Sequence, residues 1–289
     1  LMPWVLNTPT PNTAFDEVID WWGYPTKGYY FLQRAYEPVH ICAQFPYLLW
    51  APGSEFNGEV YVINDLEKPV LNGKVEIRIL NQNLDTWFQK EYKKTCKGKS
   101  GVTLINQFKF TIPKDANDQV FLLCLSLKDK NGKLISRSVY YPKILSSMNP
   151  GNDFREKYLS RELRPVFKNG PWLKDLSKDR TSLSARKKIV LKKNGSIQVQ
   201  IEVKNTGEKP IYPVEIDLEK PEVPFVCSEN QFILFPGETK IVEIDLLPKD
   251  SISSMELRNI HNNSSLYQKF QIRVSGWNVE KPQFLKITT

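Results

Sequence analysis

Histidine is nearly missing from this chain: His40 and His261 are the only two among 289 residues. They fall in different expected domains. No three-histidine metal site and no Ser–His–Asp arrangement can be assembled from them. His40 follows Pro38 at a strand start and reads as structural. His261 lies in the polar loop His261-Asn-Asn-Ser-Ser265 and reads as solvated. Cysteine is also sparse. Cys42, Cys96, Cys124 and Cys227 form no CxxC pair, which argues against a zinc cluster. Spacing alone leaves one disulfide open, while Cys124 sits in an apolar run and reads as a buried thiol. GxGxxG, the P-loop and HExxH do not occur, so no cofactor is implied. No apolar run approaches the ~20 residues that cross a bilayer. No charged-then-apolar leader opens the sequence. Residue 1 is a leucine inside a strand-like run, so the sequence reads as an excised piece of a longer protein.

What is present suits packed β-structure. Hydrophobic residues make up 40% and aromatics 12%, enough to build cores and to exclude a disordered chain. The net charge is +8. The basic residues are scattered, with small clusters at Lys93–Lys94, Arg186–Lys187–Lys188 and Lys192–Lys193. A nucleic-acid surface needs a denser stripe or a motif, so none is expected. Acidic glycans stay open as a partner.

Leu1–Leu6 reads as a strand, followed by a loop to about Gly23. Thr26–Tyr36 reads as a helix, with Pro25 at its start and Pro38 at its stop. This βα unit is too small to bury a core alone. Seven alternating segments follow: Val39–Gln44, Glu59–Asn64, Lys74–Leu80, Trp87–Tyr92, Thr103–Ile112, Gln119–Leu127 and Leu134–Tyr141. Turn residues separate them, and Asn72-Gly73 and Asn131-Gly132 suit tight hairpins. Seven short strands in this length predict a sandwich. Ser146–Asp179 reads as a linker with one short helix around Phe154–Leu163. Strands return at Ser196–Lys204, Val214–Leu218, Gln231–Leu234, Thr239–Leu246 and Gln268–Ser275, with turns at Asn194-Gly195 and Pro236-Gly237.

An internal repeat ties the two β-regions together. Val60–Asn64 runs to Pro69 and then Val75–Ile79; Ile201–Asn205 runs to Pro210 and then Val214–Leu218. The spacing from Asn to Pro is identical. An apolar strand, a turn-forming asparagine, a polar hairpin and a returning strand are expected in each copy. Among groups that could do chemistry, Asp16, Glu17 and Asp20 beside Trp21-Trp22 form the best carboxylate cluster. They stand on a connecting loop and are expected to position rather than catalyse. The aromatics Trp4, Trp21, Trp22, Tyr24, Tyr29, Tyr30 and Phe31 crowd the first thirty-one positions. Tyr29, Tyr30 and Phe31 read as packing residues. Trp4, at a strand end near Asn7, could equally face a ligand.

These segments resemble the end of the barrel domain in glycoside hydrolase family 2. The resemblance is carried by Met2–Pro11, by Ile19-Asp20 through Gly23-Tyr-Pro25, and by Gly28–His40. Trp4, Leu6, Asn7 and Pro11 match the family's last barrel strand, whereas Thr8 and Thr10 replace its usual Asp and Trp. Trp50-Ala-Pro-Gly53, Leu125–Tyr140 and Ser228–Glu238 resemble the family's C-terminal sandwiches. The resemblance implies a mainly β fold: two immunoglobulin-like β-sandwiches preceded by a short βα remnant of a TIM barrel. Its implied domains are 1–38 (last barrel strand and helix), 39–145 (sandwich), 146–180 (linker) and 181–289 (sandwich). It also implies that the catalytic glutamates lie upstream, so that no catalytic residue is present here. Trp4 would floor a sugar subsite and Asn7 would stand at its rim. The implied role is accessory, within a hydrolase of β-linked glycosides. The partners would be the rest of that hydrolase and, in the alternative of a tandem binding or structural module, carbohydrate. The parent would be secreted or periplasmic.

Overall fold

A computed structural model describes residues 5–7, 17–20, 23–146, 173–191, 197–219, 225–246 and 271–286. The chain divides into two compact units. One, the central unit, is Arg34–Lys178; the other, the C-terminal unit, joins Leu1–Gln33 to Asp179–Thr289.

In the central unit a three-stranded sheet has the order β3-β5-β8, with β3 Val39–Gln44, β5 Glu55–Asn64 and β8 Gly101–Thr111. A four-stranded sheet has the order β11-β10-β6-β7, with β6 Val70–Leu80, β7 Thr86–Cys96, β10 Leu122–Lys128 and β11 Leu134–Tyr140. A small third sheet joins β4 (Leu49–Trp50), β12 (Lys143–Ile144) and β9 (Gln119–Val120). Three plus four strands is the immunoglobulin-type count. Alternation does the sorting: Val75, Ile77 and Ile79 of β6 are buried, while Glu76 and Arg78 between them are not. Phe56 centres the core. Phe45, Trp50, Phe108 and Phe121 surround it edge-on at 5.0–5.6 Å, a favoured aromatic geometry. A short helix, α2 (Leu173–Leu176), adds Asp175, which pairs with Lys143 at 3.0 Å.

The C-terminal unit packs two four-stranded sheets. The first has the order β13-β14-β18-β16: Leu183–Leu191, Ile197–Asn205, Thr239–Leu246 and Phe225–Cys227. The second has the order β17-β15-β19-β20: Phe232–Leu234, Ile211–Glu219, Gln271–Gly276 and Gln283–Lys286. Val199, Ile201, Val203, Val214, Val242, Ile244, Ile272 and Val274 are fully inaccessible between them. At the start of the chain β1 (Val5–Asn7) pairs in parallel with β2 (Glu17–Ile19), and helix α1 follows at Lys27–Ala35. Thr26 ties its start: the hydroxyl donates to the Val18 carbonyl at 2.9 Å. Arg34 stands in its last turn, where positive charge suits the helix dipole.

The mainly β architecture expected from the sequence is the one observed. Three local expectations are corrected. The segment between the first strand and Gly23 is not all loop, because it contains β2. Asn72-Gly73 is not a hairpin turn; it lies inside β6, where the register with β7 shifts and Asn72 takes a φ of 52°. The repeat does not enclose a hairpin either. β5 and β6 lie in opposite sheets, as do β14 and β15, so each copy is a sheet-to-sheet corner. Asn131-Gly132 does turn the β10–β11 hairpin, with Gly132 at a φ of 89°. The linker helix expected at Phe154–Leu163 and the turn at Asn194-Gly195 lie outside the described residues.

The corner explains the repeat. Asn64 is buried; its Nδ2 donates to the Lys68 carbonyl at 3.0 Å, and its Oδ1 accepts the Leu66 amide at 3.1 Å. Asn205 does the same with Lys209 at 2.8 Å and Gly207 at 3.0 Å. One carboxamide thus closes a six-residue crossing and satisfies backbone groups that the sandwich buries. The second copy goes further. Asn205 also donates to the Leu234 carbonyl at 2.8 Å and meets the Thr181 hydroxyl at 3.3 Å. Where the first copy has Leu66, the second has Gly207, because a Cβ there would collide with Thr181.

Candidate functional site

The carboxylates near the chain start are held by different elements. Glu17 is on β2, opposite Val5, and its Oε2 is buried with no hydrogen-bond partner among the described residues. Asp20 follows β2 and builds a turn. Its Oδ1 accepts the Tyr24 amide at 2.8 Å and its carbonyl accepts the Gly23 amide at 3.0 Å. That is the positioning role expected of it. Asn7 ends β1 opposite Ile19. Trp4, Asp16, Trp21, Trp22 and His261 lie outside the described residues.

The tyrosines of α1 are packing residues. Tyr30 is buried in the core of the C-terminal unit, and its hydroxyl oxygen accepts the Cys227 amide of β16 at 3.3 Å. Burial, first, and the neighbouring Cys227 push its phenol above the usual range. Tyr29 meets Tyr30 edge-on at 5.1 Å, and Tyr24 lies 6.2 Å from Phe225. Phe31, in contrast, is 56% exposed. Lys27 pairs with Glu215 at 3.3 Å and stands 6.0 Å over the ring of exposed Trp277.

His40 is half-buried on β3. Its Nδ1 is buried with no partner among the described residues, and burial holds its pKa below the ordinary histidine value. It is neutral at pH 7. No disulfide joins Cys42, Cys96, Cys124 or Cys227 in this structure. Burial pushes Cys227 up to about 12 and raises Cys42 and Cys96. Such thiols are poor nucleophiles. Among the described residues no group of three His, Cys, Asp or Glu is placed to hold a metal ion, and no helix is long and apolar enough to cross a membrane.

Residues 57–145 match the family described as the Mannosidase Ig/CBM-like domain. This is the β5-to-β12 sandwich of the central unit. Two solved structures extend the likeness to nearly the whole chain. A structure of the exo-β-D-glucosaminidase CsxA, titled for its inhibition by a glucosamine-configured castanospermine and an amino-australine analogue, superposes with a TM-score of 0.68 at 20% identity. The exo-chitosanase CsxA of Amycolatopsis orientalis superposes with a TM-score of 0.67 at 20% identity. In each case 98% of this chain is covered, against 30% of the other. No curated protein sequence matches. The resemblance to the C-terminal part of family 2 glycoside hydrolases, first carried by short motifs, thus has a matching family domain and a matching fold. The chain spans less than a third of the length of these structural relatives.

The sequence reading missed one group of residues. Trp87, Phe88, Lys90, Tyr92 and Lys94 of β7 line an open edge of the central sandwich. The available signal was the strict alternation of aromatic and lysine from Phe88 to Lys94.

Proposed function

We propose that this chain is the C-terminal accessory region of a glycoside hydrolase acting on β-linked glycosides, and that it braces the catalytic barrel rather than performing chemistry. In this reading residues 1–38 supply the last strand and helix of a (β/α)8 barrel, 39–145 and 181–289 are immunoglobulin-like sandwiches, and 146–180 is the linker. Trp4 would lie on the floor of the sugar subsite and Asn7 at its rim. The catalytic glutamates would come from earlier barrel strands, since a barrel closes only with all eight.

The observation that carries this reading is Tyr30. A helix from the front of the chain is keyed into the core of the last sandwich through a buried ring and a bond to an edge-strand amide. A sandwich that grips this helix is built to hold whatever the helix belongs to. The test is turnover of aryl β-glycosides by the 289-residue chain and by a longer protein containing it. The chain alone should be silent. In the longer protein, Tyr30→Ala should lower the inactivation temperature while leaving KM near its starting value. Hydrolysis by the chain alone, or indifference of the longer protein to Tyr30→Ala, would overturn the reading.

A further inference from the structure

Among the described residues β7 pairs only with β6, and β8 pairs only with β5. Each strand is an edge of its own sheet in the central unit, and the two lie together along the open side of the sandwich. The residues of β7 on the inner face can be read from the register. Phe88, Lys90 and Tyr92 stand opposite the buried Ile79, Ile77 and Val75, and Lys94 stands opposite Gly73. That face therefore reads aromatic, cation, aromatic, cation.

Ammonium groups are out of place on an inner sandwich face unless they reach solvent. Both lysines do: Lys90 and Lys94 are exposed. Lys90 lies 5.5 Å over the Phe88 ring. Lys94 Nζ donates to the carbonyls of Leu104 and Ile105 on β8, at 2.6 and 3.1 Å, which fixes it across the edge. Trp87 is the extra residue where the β6–β7 register shifts, and such bulges re-aim side chains. Its ring stacks on Phe110 of β8 at 5.9 Å and 20°, and both rings are partly exposed. Glu91, the one acidic residue from 90 to 99, stands opposite Glu76 on the other face. Lys93, Lys97 and Lys99 add three further cations within the same ten positions.

We propose that this edge binds an acidic polysaccharide, a polyuronate, with sugar faces on Trp87 and Tyr92 and carboxylates on Lys90 and Lys94. Lysines four residues apart on a strand lie about 13 Å from each other, a span that an extended anionic chain can bridge. A neutral glycan would gain nothing from the positive charge of Lys90 and Lys94, and a polycationic amino-sugar chain would be repelled. The assignment does not depend on the barrel reading above.

Affinity electrophoresis of the full chain in native gels tests it. Polygalacturonate should retard the chain; its fully methyl-esterified form should not. Lys90→Gln and Trp87→Ala should each weaken retardation about tenfold, as loss of one charge-assisted or stacking contact does. Lys90 is exposed, so its variant reports even if Trp87→Ala misfolds. Replacing Arg186, Lys187 and Lys188 together by glutamine should change retardation little, because that cluster lies on β13. No retardation by polygalacturonate would overturn the proposal. So would equal weakening by the β13 triple variant and Lys90→Gln, since that result means charge without a site.

Discussion

In the central unit the open side of the sandwich is filled by its own edge strands, with Trp87 stacked on Phe110 and Phe88 set against Phe108 and Phe110. In the C-terminal unit a corresponding position beside edge strand β16 is taken by Tyr30, which comes from a helix 197 residues earlier in the chain. The first plug is local and leaves aromatics and lysines at the surface. The second is remote and fully enclosed. Tyr24, Tyr29 and Tyr30, near the chain start, thus belong to the core of the chain end. The sandwich that closes its own edge is also the one that keeps partly exposed aromatic rings beside lysines.

The largest expected effect comes from removing the remote plug. Tyr30→Ala should destabilise the C-terminal unit by about 3–5 kcal/mol, as expected for deleting a buried ring. Tyr30→Phe should cost about 1 kcal/mol, the net worth of a hydrogen bond. Urea titration monitored by probes in each unit checks both, and the central unit should not respond. Trp87→Ala, at a half-buried site, should cost about 2 kcal/mol in the central unit alone. A larger penalty than that of Tyr30→Ala would reverse the comparison.

The two corners give a finer contrast. Asn205 makes four side-chain hydrogen bonds and Asn64 makes two. Asn205→Ala should therefore destabilise its unit by about 2–3 kcal/mol and Asn64→Ala by about 1–2 kcal/mol, from buried backbone groups left unpaired. Equal costs would show that the shared six-residue crossing, and not the added contacts to Leu234 and Thr181, sets the stability.

The smallest effect is in pH. Burial lowers the His40 pKa below 6.5 in the folded state, so the unfolded chain binds the proton more readily. The stability this neutral histidine contributes is fully present above about pH 6.5 and is lost as pH falls through the folded pKa. Stability of the central unit should decline between pH 7 and 5. The slope should flatten in His40→Gln, and the C-terminal unit should be indifferent to that substitution.

Strand periodicity carried most of the fold. Val39–Gln44 and Thr239–Leu246 read as strands from their apolar spacing, despite the adjacent Ile241 and Val242, and both strands have those limits. Strands such as β2, β16 and β20 are three or four residues long, too short for alternation to stand out. The corners were legible as a repeat but not as corners. A buried asparagine followed by a polar crossing reads the same whether the next strand returns to its own sheet or crosses to the other. Tyr29 and Tyr30 were legible as packing residues, while their target was not, because helical spacing names a face and not its partner. The β7 edge escaped for the opposite reason: aromatic residues in a strand read as core until its neighbours are known.

Through Tyr30, the front of this chain folds together with its last sandwich. Amide hydrogen exchange on Tyr30→Ala tests it most directly. Protection of Lys27–Gln33 should fall together with that of β14 and β18, while β5 and β10 keep theirs. Loss of protection confined to α1, with β14 and β18 unchanged, would contradict it.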